Sequence, residues 1–117
     1  MIRTTLALAL LASALATGLV ACSKSPEEQQ AAALRDSAQA RANQIRQQAD
    51  AQAGTLDQQS KNIGDQAKQA GGLTGERLKV QADSLAKQAD ILRRQGREQA
   101  DATKEAADAQ AKQLASR

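Results

Sequence analysis

Four residue types that most small proteins rely on are missing. The chain contains no Phe, Tyr, Trp or His, and it has one Cys, one Pro and one Met. Aromatic side chains supply much of the area a small core buries, so an ordinary globular interior is excluded. Without His there is no Ser-His-Asp or Cys-His arrangement, and the commonest metal ligand is gone. One thiol cannot close an internal disulfide or form a CxxC motif. The formal net charge is only +3, with acids and bases interspersed, so no basic stripe for nucleic acid is present. Neither an EF-hand loop nor a phosphate loop occurs. Ser60-Lys61 is the nearest approach to a nucleophile with a base, but that pair needs a dry, preorganised site, and it lies in a polar helical tract. The expectation is a non-enzyme with no cofactor, no metal and no small-molecule substrate.

What is present begins with a leader. Met1-Ile2-Arg3 gives a positive start, Thr4 to Ala21 is uncharged and rich in Leu and Ala, and the chain turns polar after Ser23. A basic start, an apolar run and small residues at its end are the layout of a secretory signal peptide. The run is at the short end for a transmembrane helix, which makes an uncleaved anchor the alternative.

The lone Cys lies where the apolar run stops, in Leu19-Val20-Ala21-Cys22. This stretch resembles the lipobox of bacterial lipoproteins, an aliphatic and two small residues before an invariant Cys. The resemblance implies that signal peptidase II recognises Leu19, Val20 and Ala21 and cuts before Cys22. Cys22 would then carry an S-diacylglycerol group and an N-acyl chain, the protein's only prosthetic lipid and its link to the membrane. Two or more acyl chains hold a protein stably where one does not. In enterobacterial members Asp after the Cys favours the inner membrane. Ser23 at that position implies the outer membrane facing the periplasm, for a Gram-negative host.

Residues 22–26 read as the modified Cys and a short tether. Ser25 suits an N-cap, Pro26 the first helical position, and Glu27 and Glu28 the positive end of the helix dipole. Beyond them Ala, Gln, Arg, Lys, Asp and Leu dominate, nearly all helix formers, with no further Pro. A continuous stripe runs through Leu34, Ala38, Ala42, Ile45, Ala49, Ala53, Leu56, Ser60, Ile63, Ala67, Gly71, Thr74, Leu78, Ala82, Leu85, Ala89, Leu92, Gly96, Ala100, Thr103, Ala107, Ala111 and Leu114. It keeps the helical period, mostly in elevens, and predicts a nearly straight or weakly right-handed packing. Asp57–Lys61, Asp83–Lys87, Asp90–Arg94 and Asp108–Lys112 are acid-then-base pairs four apart, expected to support each helix on a solvated face.

"GGLTGER", Gly71 to Arg77, interrupts the tract. Gly71-Gly72 can end one helix and Thr74 can cap another, so Gly71, Gly72 and Gly75 form the expected hinge. The predicted organisation is a signal peptide over 1–21, the tether over 22–26, helix over 27–70, a glycine-rich turn over 71–75 and a second, terminally frayed helix over 76–117. The fold class is all-α: one long or hinged pair of amphipathic, alanine-rich helices, closing as an antiparallel hairpin or coiled coil, with no globular core. With so few large aliphatic residues a monomer is marginal, which points to self-association or an envelope protein partner.

In plan this resembles the small murein lipoprotein of enterobacteria: modified Cys, tether, helical rod. It departs from that family at the end, where "KQLASR" places Arg117 at the position of the wall-linked Lys; Lys112, five residues earlier, reads as a surface charge. "EQADATKEAADAQAKQ", Glu98 to Gln113, also resembles the eleven-residue repeats of late-embryogenesis-abundant proteins, which implies protection of membranes under drying. A spacer, scaffold or interaction surface is the first expectation, stress protection or an accessory subunit of an envelope complex the alternatives.

Overall fold

The computed structural model describes residues 25–116, and these form two helices, α1 (Pro26–Ala70) and α2 (Gly72–Ala115), folded back on each other as an antiparallel hairpin. Both helices are long, 45 and 44 residues, and the described residues include no strand. At a rise of 1.5 Å per residue each arm runs about 67 Å.

Local chemistry explains where α1 starts. The Ser25 hydroxyl accepts from the Glu28 amide at 3.2 Å, and the Glu28 carboxylate accepts from the Ser25 amide at 3.1 Å. This reciprocal capping box satisfies two donors that the helix itself leaves unpaired. Pro26 occupies the first helical position, where it forfeits no hydrogen bond. Glu27 and Glu28 then face the positive end of the dipole, and Lys68 lies in the last turn at the negative end.

The reversal is tighter than the 71–75 segment expected. Only Gly71 separates the helices, with φ 62° and ψ 178°, followed by Gly72 at φ 55°. Two successive left-handed residues turn the chain at once, and side chains with a Cβ resist both conformations. α2 therefore begins before Thr74, which is exposed inside the first turn and does not serve as the cap. The turn closes with backbone bonds instead: Gly71 N–H donates to the Ala67 carbonyl at 3.2 Å, and Gly75 N–H to the Gly71 carbonyl at 2.9 Å. Gly75 is buried, and a Cβ there would come within 2.6 Å of the Ala67 carbonyl oxygen, so the helices are already in contact one turn from the bend.

The seam follows the predicted stripe, but alanine and glycine occupy its centre. Ala31, Ala38, Ala42 and Ala53 on α1 face Ala82, Ala89, Gly96, Ala100, Ala107 and Ala111 on α2, all buried. The large aliphatics that the stripe also contains, Leu34, Ile45, Leu56, Ile63, Leu78, Leu85, Leu92 and Leu114, are only half-buried along its edge. No large side chain among the described residues is fully buried. The reason is proximity. At Gly96 a Cβ would overlap the Cβ of Ala49, so the backbones are too close to admit a leucine between them. Ser60 uses the same closeness, its hydroxyl donating across the seam to the Ala82 carbonyl at 2.7 Å.

Candidate functional surface

Of the residues singled out in the sequence, Leu19, Val20, Ala21 and Cys22 lie outside the described residues. The described chain begins three positions after Cys22, at the Ser25 cap. Gly71, Gly72 and Gly75 come together at the bend, where with Ser60, Gly64 and Ala82 they line a shallow groove between the helices. Because the arms are antiparallel, the start of α1 and the end of α2 share one end of the rod. The glycine bend is at the other.

The seam has two unlike flanks. On a helical projection Leu34, Ile45, Leu56 and Ile63 lie on one side of the alanine row, and Arg35, Arg46 and Asp57 on the other. α2 repeats this, with Leu78, Leu85, Leu92 and Leu114 on one side and Arg93, Asp101, Lys104 and Asp108 on the other. Antiparallel pairing brings like flanks together. A cleft on the apolar side is lined by Ile45, Ala49, Leu92 and Gly96 and rimmed by Gln48, Gln52, Gln95 and Gln99. On the charged side three ion pairs cross the seam: Arg35–Asp108 at 2.9 Å, Arg46–Asp101 at 2.7 Å, and Arg93–Asp57.

The α1 members of these pairs, Arg35, Arg46 and Asp57, are eleven residues apart. This corrects the expected four-apart pairing. Asp57 and Asp108 bond across the seam and not to Lys61 and Lys112, and no ion pair forms at Asp83–Lys87 or Asp90–Arg94 among the described residues. Within one helix the pairs that do form are three apart: Lys68–Asp65, Lys104–Asp101 and Arg93–Asp90. The Lys104 hydrogen bond, helped by the Arg46 charge, holds the Asp101 carboxyl below its ordinary range. The Asp57 hydrogen bond raises the pKa of Arg93.

The outward faces differ between the arms. The back of α1 presents Ala33, Ala40, Gln44, Gln47, Ala51, Gln58 and Asn62, small or uncharged and all exposed. The back of α2 carries Leu73, Val80 and Ile91, the exposed large hydrophobic residues of the molecule's described part. Sequence reasoning did not single these three out. Their spacing of seven and eleven is the signal that marks them, since both intervals return a helix to nearly the same face. No helix among the described residues is long and apolar enough to cross a membrane.

The chain matches no family model, no curated protein and no solved structure.

Proposed function

We propose that this protein is a lipid-anchored helical lipoprotein of the cell envelope, a rod serving as spacer, scaffold or interaction surface and not as an enzyme. The observation that carries the reading is the Leu19-Val20-Ala21-Cys22 stretch at the end of an apolar leader, followed within four residues by a capped helix start. An attachment point directly before a rod about 67 Å long is the layout of a tethered spacer. Cys22 bears the acyl chains, Ser23-Lys24-Ser25 is the tether, and Ser23 favours the outer membrane facing the periplasm in a Gram-negative host. Ion pairs that recur across the seam support a rod folded in water over one that becomes helical only on drying.

The test is the mass of the mature N-terminus together with membrane fractionation. The expected chain begins at Cys22 with a diacylglycerol and an amide-linked acyl group, and Cys22→Ala leaves a precursor with residues 1–21 attached. A free thiol with the leader retained would refute the anchor. In-cell crosslinking to one stoichiometric protein would identify the rod as an accessory subunit.

A further inference from the structure

The exposed large aliphatic residues of the described chain all fall in the bend-proximal half of α2, on a single face. Leu73, Val80 and Ile91 are 77%, 70% and 42% exposed. At about 100° per residue they lie within roughly 20° of one another, opposite the buried Ala82–Ala89–Ala100 row. Arg77, Ser84 and Lys87 fill the gaps between them, with Arg94 and Glu76 at the edges and Asp83 just beyond. Arg77, Lys87 and Arg94 make no ion pair among the described residues. By contrast, the cations beside the seam, Arg35, Arg46, Arg93 and Lys104, all do. Past Ile91 the same face turns acidic or small, through Glu98, Ala102, Glu105 and Ala109.

The charges select the occupant. A second copy packed antiparallel on this stripe, with Leu73 against Ile91, would also set Arg77 against Lys87, two unneutralised cations in one layer. An anionic lipid surface has the opposite effect. Its headgroups accept Arg77, Lys87 and Arg94 while the aliphatic side chains enter the boundary between headgroups and acyl chains.

We propose that the outer face of α2, from Leu73 to Arg94, docks on an anionic lipid surface, so that the rod lies along the membrane and serves as an interaction surface there, not as a spacer standing off it. The proposal rests on the lipid-anchor reading for how the rod is brought there: three aliphatic residues bind weakly alone, and tethering converts the contact into an intramolecular one. The tether fits this pose. Four residue steps from Cys22 to Pro26 span about 14 Å. That is enough to reach α1 stacked about 8–10 Å above an α2 that rests on the lipid.

The chain has no Trp, so one introduced indole is a unique reporter. The full chain, expressed with its leader and purified from cells as they process it, is prepared as Val80→Trp and, for the back of α1, as Gln58→Trp. Both are mixed with vesicles of phosphatidylcholine, or of phosphatidylcholine with roughly one third phosphatidylglycerol, each containing brominated lipid, and assayed by flotation and fluorescence. On the anionic vesicles the Val80 reporter should be quenched about threefold more than the Gln58 reporter. Adding Arg77→Gln and Lys87→Gln should lower the docked-to-undocked ratio about fivefold per cation.

Flotation on both vesicles with equal quenching at the two sites overturns the docking and leaves the anchor standing. Flotation on anionic vesicles alone, with the Val80 reporter quenched, supports the docking and removes the anchor. No flotation on either removes both. A blue shift at Val80 that grows with protein density without bromine quenching overturns the lipid contact in favour of a second copy.

Discussion

Gly96 packs directly on Ala49 across the seam, and replacing it separates the two effects that an alanine exerts in a helix. In an exposed helix interior Gly→Ala stabilises by about 1 kcal/mol, because the backbone loses less freedom on folding. At Gly96 the new Cβ would overlap that of Ala49, while the next neighbours, the Ile45 carbonyl oxygen at 3.7 Å and the Ala49 Cα at 3.8 Å, are at ordinary contact. The clash therefore resides in one methyl, and relieving it requires the helices to part by roughly an ångström, an overpacking cost of about 1–3 kcal/mol. Gly96→Ala should lower stability by about 0–2 kcal/mol after its propensity gain. Gly54, with nothing within 4 Å of a Cβ, supplies the comparison. Gly54→Ala should raise the melting temperature by about 4–8 °C. Moving the methyl across the seam, Ala49→Gly with Gly96→Ala, exchanges one glycine for another and should return close to the starting stability. The double-mutant cycle should then show a coupling of about 1–3 kcal/mol. Circular dichroism melts of residues 23–117 measure all five chains: the parent, Gly96→Ala, Ala49→Gly, their combination and Gly54→Ala. If Gly96→Ala stabilises as much as Gly54→Ala, and the cycle is additive, the two arms do not meet at this register.

Two more outcomes follow from the bend and the charged flank. Gly71→Ala places a side chain at φ 62° and ψ 178°, a region essentially confined to glycine, and should cost about 1–3 kcal/mol in the same melts, with Gly54→Ala as the opposite-sign control. The Asp101 pKa is lowered from 3.8 by Lys104 and Arg46, so its contribution is fully present above about pH 4 and is lost as the pH falls through its lower folded value. An acid titration should show weakened pairing in that window, and Asp101→Asn should remove this component while changing stability at neutral pH only slightly.

Legibility in the sequence tracks how local each cause is. The start of α1 could be read because Ser25, Pro26, Glu27 and Glu28 act within one turn of each other. The seam could be read as a stripe because helical periodicity is a property of a single strand of sequence. Its contents could not, since leucine and alanine score alike on a stripe and only the separation of the arms decides which takes the centre. Gly96 against Ala49 sets that separation and pushes Leu34, Ile45, Leu85 and Leu92 to the edge. The ion pairs were misassigned for a related reason. Asp57 and Asp108 each have a base four residues on, and nothing in the local pattern reveals that Arg93 and Arg35 come closer. The bend glycines were visible, but the number of residues they occupy was not, because two left-handed residues reverse the chain without the loop that Thr74 capping requires. The outer stripe of Leu73, Val80 and Ile91 was hidden by the seam itself, which already accounted for most aliphatic positions in an alanine-rich chain.

An alanine seam does its work through geometry more than through strength. Each buried methyl contributes little, so no single contact dominates, and the many small contacts are spread evenly along the whole length. What the close approach supplies is register. Sliding one arm by a turn, about 5.4 Å, would carry Asp101 away from Arg46 and Asp108 away from Arg35. The same slide would bring an edge leucine toward a gap too narrow to hold it. The charges on one flank and the steric fit at Gly96 thus select the same alignment, although neither is strong alone. A rod held this way stays narrow, keeps its full length, and leaves both outward faces free of the core. That freedom is what allows the back of α1 to stay small and mostly uncharged, with Asp36 and Asp65 near its ends, while the back of α2 gathers aliphatic side chains and unpaired cations.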